Sequence, residues 1–119
     1  MGITGILAVI AMGQAAPAAA DIGYDALIAG DGERAVEAIA ADPLATDDPA
    51  KLINLGVAYA MEGDRDRART MFERAAASSE RYDLEVASGE WVESRRLALR
   101  ALAALDRGGL ASEVRTAMR

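Results

Sequence analysis

The sequence predicts a mainly all-α fold of antiparallel helical hairpins, followed by a short β-hairpin near 82–92 and a capping helix. Three observations predict it. Gly30-Asp31-Gly32-Glu33-Arg34-Ala35 and Gly63-Asp64-Arg65-Asp66-Arg67-Ala68 share a turn signature at an offset of 33 residues. Leu52, Leu55, Gly56 and Tyr59 fall at i, i+3, i+4 and i+7, which is one face of a helix. After Ser79 the period changes, and Tyr82-Asp83-Leu84-Glu85-Val86 alternates as a strand does.

The first twenty residues stand apart. All 32 charged residues lie from Asp21 onward. The apolar run Ile3–Met12 is short for a bilayer, which needs about 20 residues, and fits the core of a secretory signal. Pro17 interrupts it, and Ala18-Ala19-Ala20 offers the small side chains a signal peptidase accepts. Cleavage before Asp21 is expected, leaving residues 21–119 as one helical domain in the periplasm or outside the cell. No Lys or Arg precedes the apolar run, which is atypical. The other reading keeps residues 1–20 as a helix that tethers the chain to a membrane or packs on the fold. Twelve Arg against one Lys, and 28 Ala, suggest a GC-rich bacterial genome.

Each Gly-Asp pair reads as a helix stop followed by a helix start. Glycine takes the left-handed conformation after the last turn, and aspartate then accepts from the free amides of the next helix. Residues 21–42 form the first hairpin. Its first helix would begin near Ala16, so cleavage would shorten it to about Ile22–Ala29. The second hairpin, 49–79, is clearer. Asp48 caps its first helix and Pro49 takes the first helical position. Ile53, Val57, Ala60 and Met61 make much of the opposite side apolar, so this helix needs neighbours on two sides. Its partner, from about Arg65 to Ser78, aligns Ala68, Met71, Phe72 and Ala75. The small Gly56 and Ala68 allow the helix axes to approach closely.

Residues 80–93 form a turn or hairpin containing Trp91-Val92, with an irregular loop as the other reading. Ser94 is expected to cap a helix over 94–105 that packs through Leu97, Ala98, Ala101, Leu102 and Leu105. Gly108-Gly109 ends it, and 106–119 forms a flexible end with a frayed turn or short helix at Leu110–Met118.

Leu52-x2-Leu55-Gly56-x2-Tyr59 followed by Ala68-x3-Phe72, with Gly63 between and Ala75 beyond, resembles the tetratricopeptide repeat (TPR). The resemblance covers residues 49–79. Leu52 stands where Trp is common, and Glu80 near where Pro often ends the repeat. Residues 21–42 resemble a degraded copy, aligning Gly23 with Gly56, Ala26 with Tyr59, Ala35 with Ala68 and Ile39 with Phe72. The resemblance implies a TPR-like solenoid and a protein-binding role. It also implies that the first helix of each hairpin lines a concave face. Here that face would present Ile53, Asn54, Val57, Ala60 and Met61 to another protein or peptide, with Asn54 bonding a peptide backbone. Subtypes that clamp a C-terminal carboxylate need several Lys, Arg and Asn there, and Lys51 is the chain's single lysine. The alternative is that this face is covered by the third helix, or by a second copy in a homodimer or self-associating component of the bacterial envelope.

Composition argues against chemistry. With no Cys there is no disulfide, thiolate nucleophile or Cys-based zinc site, and with no His the commonest general base is missing. Glu90 and Glu93 flank Trp91 in a way that invites comparison with glycoside hydrolysis, but no second half of such a site is visible. Asp42, Asp47 and Asp48 lack the spacing of a calcium loop. No glycine run matches a phosphate loop, and none of Ser78, Ser79, Ser88, Ser94 and Ser112 sits in a nucleophile motif. No enzymatic activity, cofactor or metal is expected.

The net charge of −6 disfavours nucleic acid. It is unevenly spread: residues 21–48 carry −7, residues 49–93 carry −3 and residues 94–119 carry +4. Arg95, Arg96 and Arg100 border the apolar stripe of the last helix. They suit an acidic partner or anionic lipid, or simply solvate the outer face.

Overall fold

Side-chain carboxylates start the helices. The computed structural model describes residues 10–11, 26–27, 29–41, 47–81, 83–85 and 89–108. Helix α1 (Gly32–Ala40) opens on Asp31, which accepts from the Arg34 amide at 3.0 Å. Helix α2 (Pro49–Met61) opens on Asp48, which accepts from Ala50 at 2.9 Å and Lys51 at 3.2 Å, with Pro49 in the first turn. Helix α3 (Arg65–Ala77) opens on Asp64, which accepts from Arg67 at 3.1 Å. Helix α4 (Ser94–Asp106) opens on Glu93, whose Oε1 accepts from Arg96 at 3.2 Å. This corrects the expected Ser94 cap. Glu93 holds the extended conformation with a side chain long enough to reach back, and Ser94 is already the buried first helical residue.

The two Gly-Asp turns have one hydrogen-bond pattern. Gly30 donates to the Leu27 carbonyl and Asp31 to Ala26, at 3.1 and 3.0 Å. Thirty-three residues on, Gly63 donates to Ala60 and Asp64 to Tyr59, at 3.0 and 2.9 Å. Ala35 to Asp31 and Ala68 to Asp64 are both 3.0 Å. Gly30 and Gly63 sit at φ +76° and +81°, the left-handed region that glycine enters without penalty.

Packing runs along the chain. Helix α1 lies on α2, α2 on α3 and α3 on α4, with α2 also touching α4. Phe72 is fully buried against Gly56 of α2; a Cβ built on Gly56 would come 2.7 Å from the ring's Cδ1. Leu27, Leu52, Ile53 and Leu97 extend the core on either side. Two polar contacts fasten α4 to α3. The Arg65 guanidinium donates to the Leu105 carbonyl at 3.0 Å, and Arg69 pairs with Asp106 at 2.5 Å. The Asp106 contact raises the Arg69 pKa further above its ordinary value.

The expected β-hairpin is present. Strands β2 (Asp83–Glu85) and β3 (Trp91–Glu93) pair antiparallel with Leu84 opposite Val92, and both side chains are buried. A third strand, β1 (Ile10–Ala11), joins the other edge of β2, with Ile10 opposite Glu85 and Ala11 opposite Leu84. These two residues belong to the expected leader and are extended rather than helical, so cleavage before Asp21 would leave the hairpin two-stranded. The remainder of the leader, Ile22–Asp25, Asp42, Tyr82, Ser88 and the end from Gly109 lie outside the described residues.

Candidate functional site

The face expected to bind a partner is closed. Ile53 and Val57 have no exposed surface, Ala60 has 2% and Asn54 6%. Met61, at the helix end, is half-buried. The reason lies in the apolar character of α2 on two sides: flanked by α1, α3 and α4, it is the central helix and buries both. Asn54 is engaged inside the chain, not offered to a peptide. The residues of the repeat signature are likewise structural in their placement. Leu52, Gly56, Ala68, Phe72 and Ala75 are buried, Leu55 and Tyr59 half-buried, and Gly63 makes the turn.

The carboxylates beside Trp91 are separately employed. Glu90 pairs with Arg100 at 3.5 Å, while Glu93 caps α4. Trp91 is 50% exposed on the sheet, and its strand neighbour Val92 points into the core. Among the described residues, no three acidic side chains are grouped to hold a metal ion, and no helix is long and apolar enough to cross a membrane.

An open groove lies at the edge where the two turns meet. It encloses about 400 Å³ and is lined by Glu33, Val36 and Glu37 of α1, Tyr59 of α2, Glu62 and Asp64 of the following turn, and Arg67 of α3. Two glycines bring these residues together. Gly32 lets α1 abut the end of α2: a Cβ there would come 2.9 Å from the Ala58 carbonyl oxygen and 2.7 Å from a Glu62 oxygen. Gly63 reverses the chain so that Asp64 and Arg67 return beside Tyr59.

Within the groove, the Arg67 guanidinium lies 5.8 Å from the centre of the Tyr59 ring and 3.6 Å from Asp64. That is an aromatic ring and a carboxylate holding one cation. The Arg67 side chain remains 70% exposed, so the cation is loosely held. Glu33, Glu37 and Glu62 are exposed and form no ion pair among the described residues. Four acids against one Arg leave the groove strongly negative around two partly buried apolar side chains, Val36 and Tyr59. Such a surface favours a cationic segment carrying some apolar area.

Sequence reasoning did not find this groove. A weak signal existed: Glu33 and Glu37 are like charges one turn apart, an arrangement that does not favour a helix by itself. Their convergence with Glu62 needed the α1–α2 packing. No protein-family model matches this chain, and no curated protein or solved structure matches it either.

Proposed function

We propose that this chain is a small TPR-like module that binds another protein or peptide, acting after export to the bacterial periplasm or beyond. The single observation that carries the reading is the acidic, aromatic-floored groove between the two turns. Three of its carboxylates have no cationic partner among the described residues, and its one cation, Arg67, is mostly exposed. The repeated turn supports the TPR-like description, because equivalent hydrogen bonds recur at the 33-residue offset. With Ile53, Asn54, Val57 and Ala60 enclosed, the partner is met at the edge groove, and the enclosed face serves the core.

The groove carries no nucleophile with a base beside it, so binding is the chemistry it can do. Titration of an arginine-rich peptide into the isotopically labelled full chain tests the reading. Shifts are expected at Tyr59, Val36 and Glu62, and a glutamate-rich peptide should cause none. Glu37→Lys with Glu62→Lys should weaken binding about tenfold or more, as reversal of facing charges does. Equal responses to both peptides would remove the groove from consideration. For export, N-terminal sequencing of the envelope fraction should begin at Asp21, and an intact Met1 overturns cleavage.

A further inference from the structure

We propose that the segment received by this groove is the outer face of α4 from a second copy of the chain, so that copies associate head to tail. This rests on the groove being a binding site and names its occupant. Leu99 is 50% exposed on α4, and the exposed Arg95 and Arg96 lie four and three residues before it on the same helical face. The face is therefore an apolar side chain with two guanidinium groups one turn before it. Val36 and Tyr59 share the groove with Glu33, Glu37 and Glu62, which form no ion pair among the described residues, and together these are its complement in charge and in polarity pattern. The two surfaces belong to different helices of the stack, since α1 packs on α2 whereas α4 packs on α3. A contact between unlike surfaces is heterologous, and it propagates unless rotation closes a ring.

Each surface includes charge of the sign its helix disfavours. Helix N-termini favour acids and C-termini favour bases. Yet Arg95 and Arg96 occupy the first turn of α4, where the acid present is the capping Glu93, while Glu62 caps the C-terminus of α2 and Glu37 lies in the last turn of α1. Charges set against local helix stability are explained if each meets its opposite on another copy.

The same opposition makes a clean test, because reversing either surface agrees with its helix and should leave the fold intact by circular dichroism. One variant carries Glu37→Lys and Glu62→Lys, the other Arg95→Glu and Arg96→Glu. Sedimentation velocity of the full wild-type chain should show association that grows with concentration at about 0.01 M ionic strength and disappears near 1 M, where charges are screened. Each variant alone should associate about tenfold more weakly or worse, and an equimolar mixture of the two should recover association. A wild type that stays monomeric, variants that associate as it does, or a mixture that fails to recover, each overturns the proposal. Loss of anionic-vesicle binding on Arg95→Glu with Arg96→Glu, in a chain that never self-associates, would assign the α4 face to lipid instead. Binding of the arginine-rich peptide by a monomeric wild type would overturn the second copy as occupant while leaving the groove a binding site. Absence of both would remove the groove as well.

Discussion

The two expected hairpins share a turn and differ in what packs around it. At the first turn, Asp31 caps a helix of nine residues whose buried positions are Gly32, Ala35 and Ile39. At the second, the equivalent Asp64 caps a helix of 13 residues that buries Ala68, Phe72 and Ala75. The residue opposite the turn is Ala26 in one and Tyr59 in the other. Backbone hydrogen bonding is therefore the same while the apolar load is unequal. The turn depends on one glycine conformation and one cap, which are local. The load depends on neighbours: α2 and α3 sit inside the stack and α1 toward one side of it.

The largest effect should separate the hairpins. Phe72→Ala is expected to cost about 3–5 kcal/mol of stability in chemical denaturation, through lost burial and the cavity left behind. Ile39→Ala should cost less, about 2–3 kcal/mol, because the side chain is smaller and lies toward the edge. Equal losses would show that the two hairpins bear the same load. Next, Gly56→Ala should cost about 1–3 kcal/mol by forcing the Phe72 ring away from α2. Its melting temperature would be compared with that of the double variant Gly56→Ala with Phe72→Leu, where the smaller side chain should relieve part of the loss.

Smaller effects should unite the hairpins. At Gly30 and Gly63 a Cβ would meet nothing within 4 Å, so substitution by Ala isolates the backbone cost of positive φ. Each should lose about 1–2 kcal/mol, and asparagine should recover part of it at both turns. A large difference between Gly30→Ala and Gly63→Ala would break the equivalence seen in the hydrogen bonds. Smallest are the caps. Asp31→Ala and Asp64→Ala should each cost about 1 kcal/mol, with Asp64→Ala also releasing Arg67 from its ion pair, a contact worth little at an exposed site.

How much was legible in the sequence follows from the range of each interaction. The starts of α2 and α3 were readable because Asp48-Pro49 and Gly63-Asp64 act within four residues of themselves. The start of α4 was readable to one residue, but its cap is Glu93 rather than the expected Ser94. Serine is a common cap, and nothing local says that Glu93 will be extended and reach Arg96 first. The β-hairpin was visible in the alternation about Leu84, whereas the pairing of Ile10–Ala11 with β2 spans more than seventy residues and has no local signature.

The expected binding face divides the same way. That α2 is apolar on two sides was evident from Leu52, Ile53, Val57 and Ala60. Which sides the rest of the chain would cover was not, and Ile53 and Val57 are buried because α2 has neighbours on both sides. The acidic beginning and basic end could be counted from residues alone. Their concentration into a groove and a helix face could not. Sequence by itself determined the turns, the caps of α1, α2 and α3 and the hairpin periodicity, because these rest on the conformational preferences and short reach of single residues. Tertiary structure alone decided that the side of α2 carrying Ile53 and Val57 is interior and that Glu33, Glu37 and Glu62 share one groove. Those outcomes depend on contacts between helices, set by the stacking of α1 on α2 through a glycine.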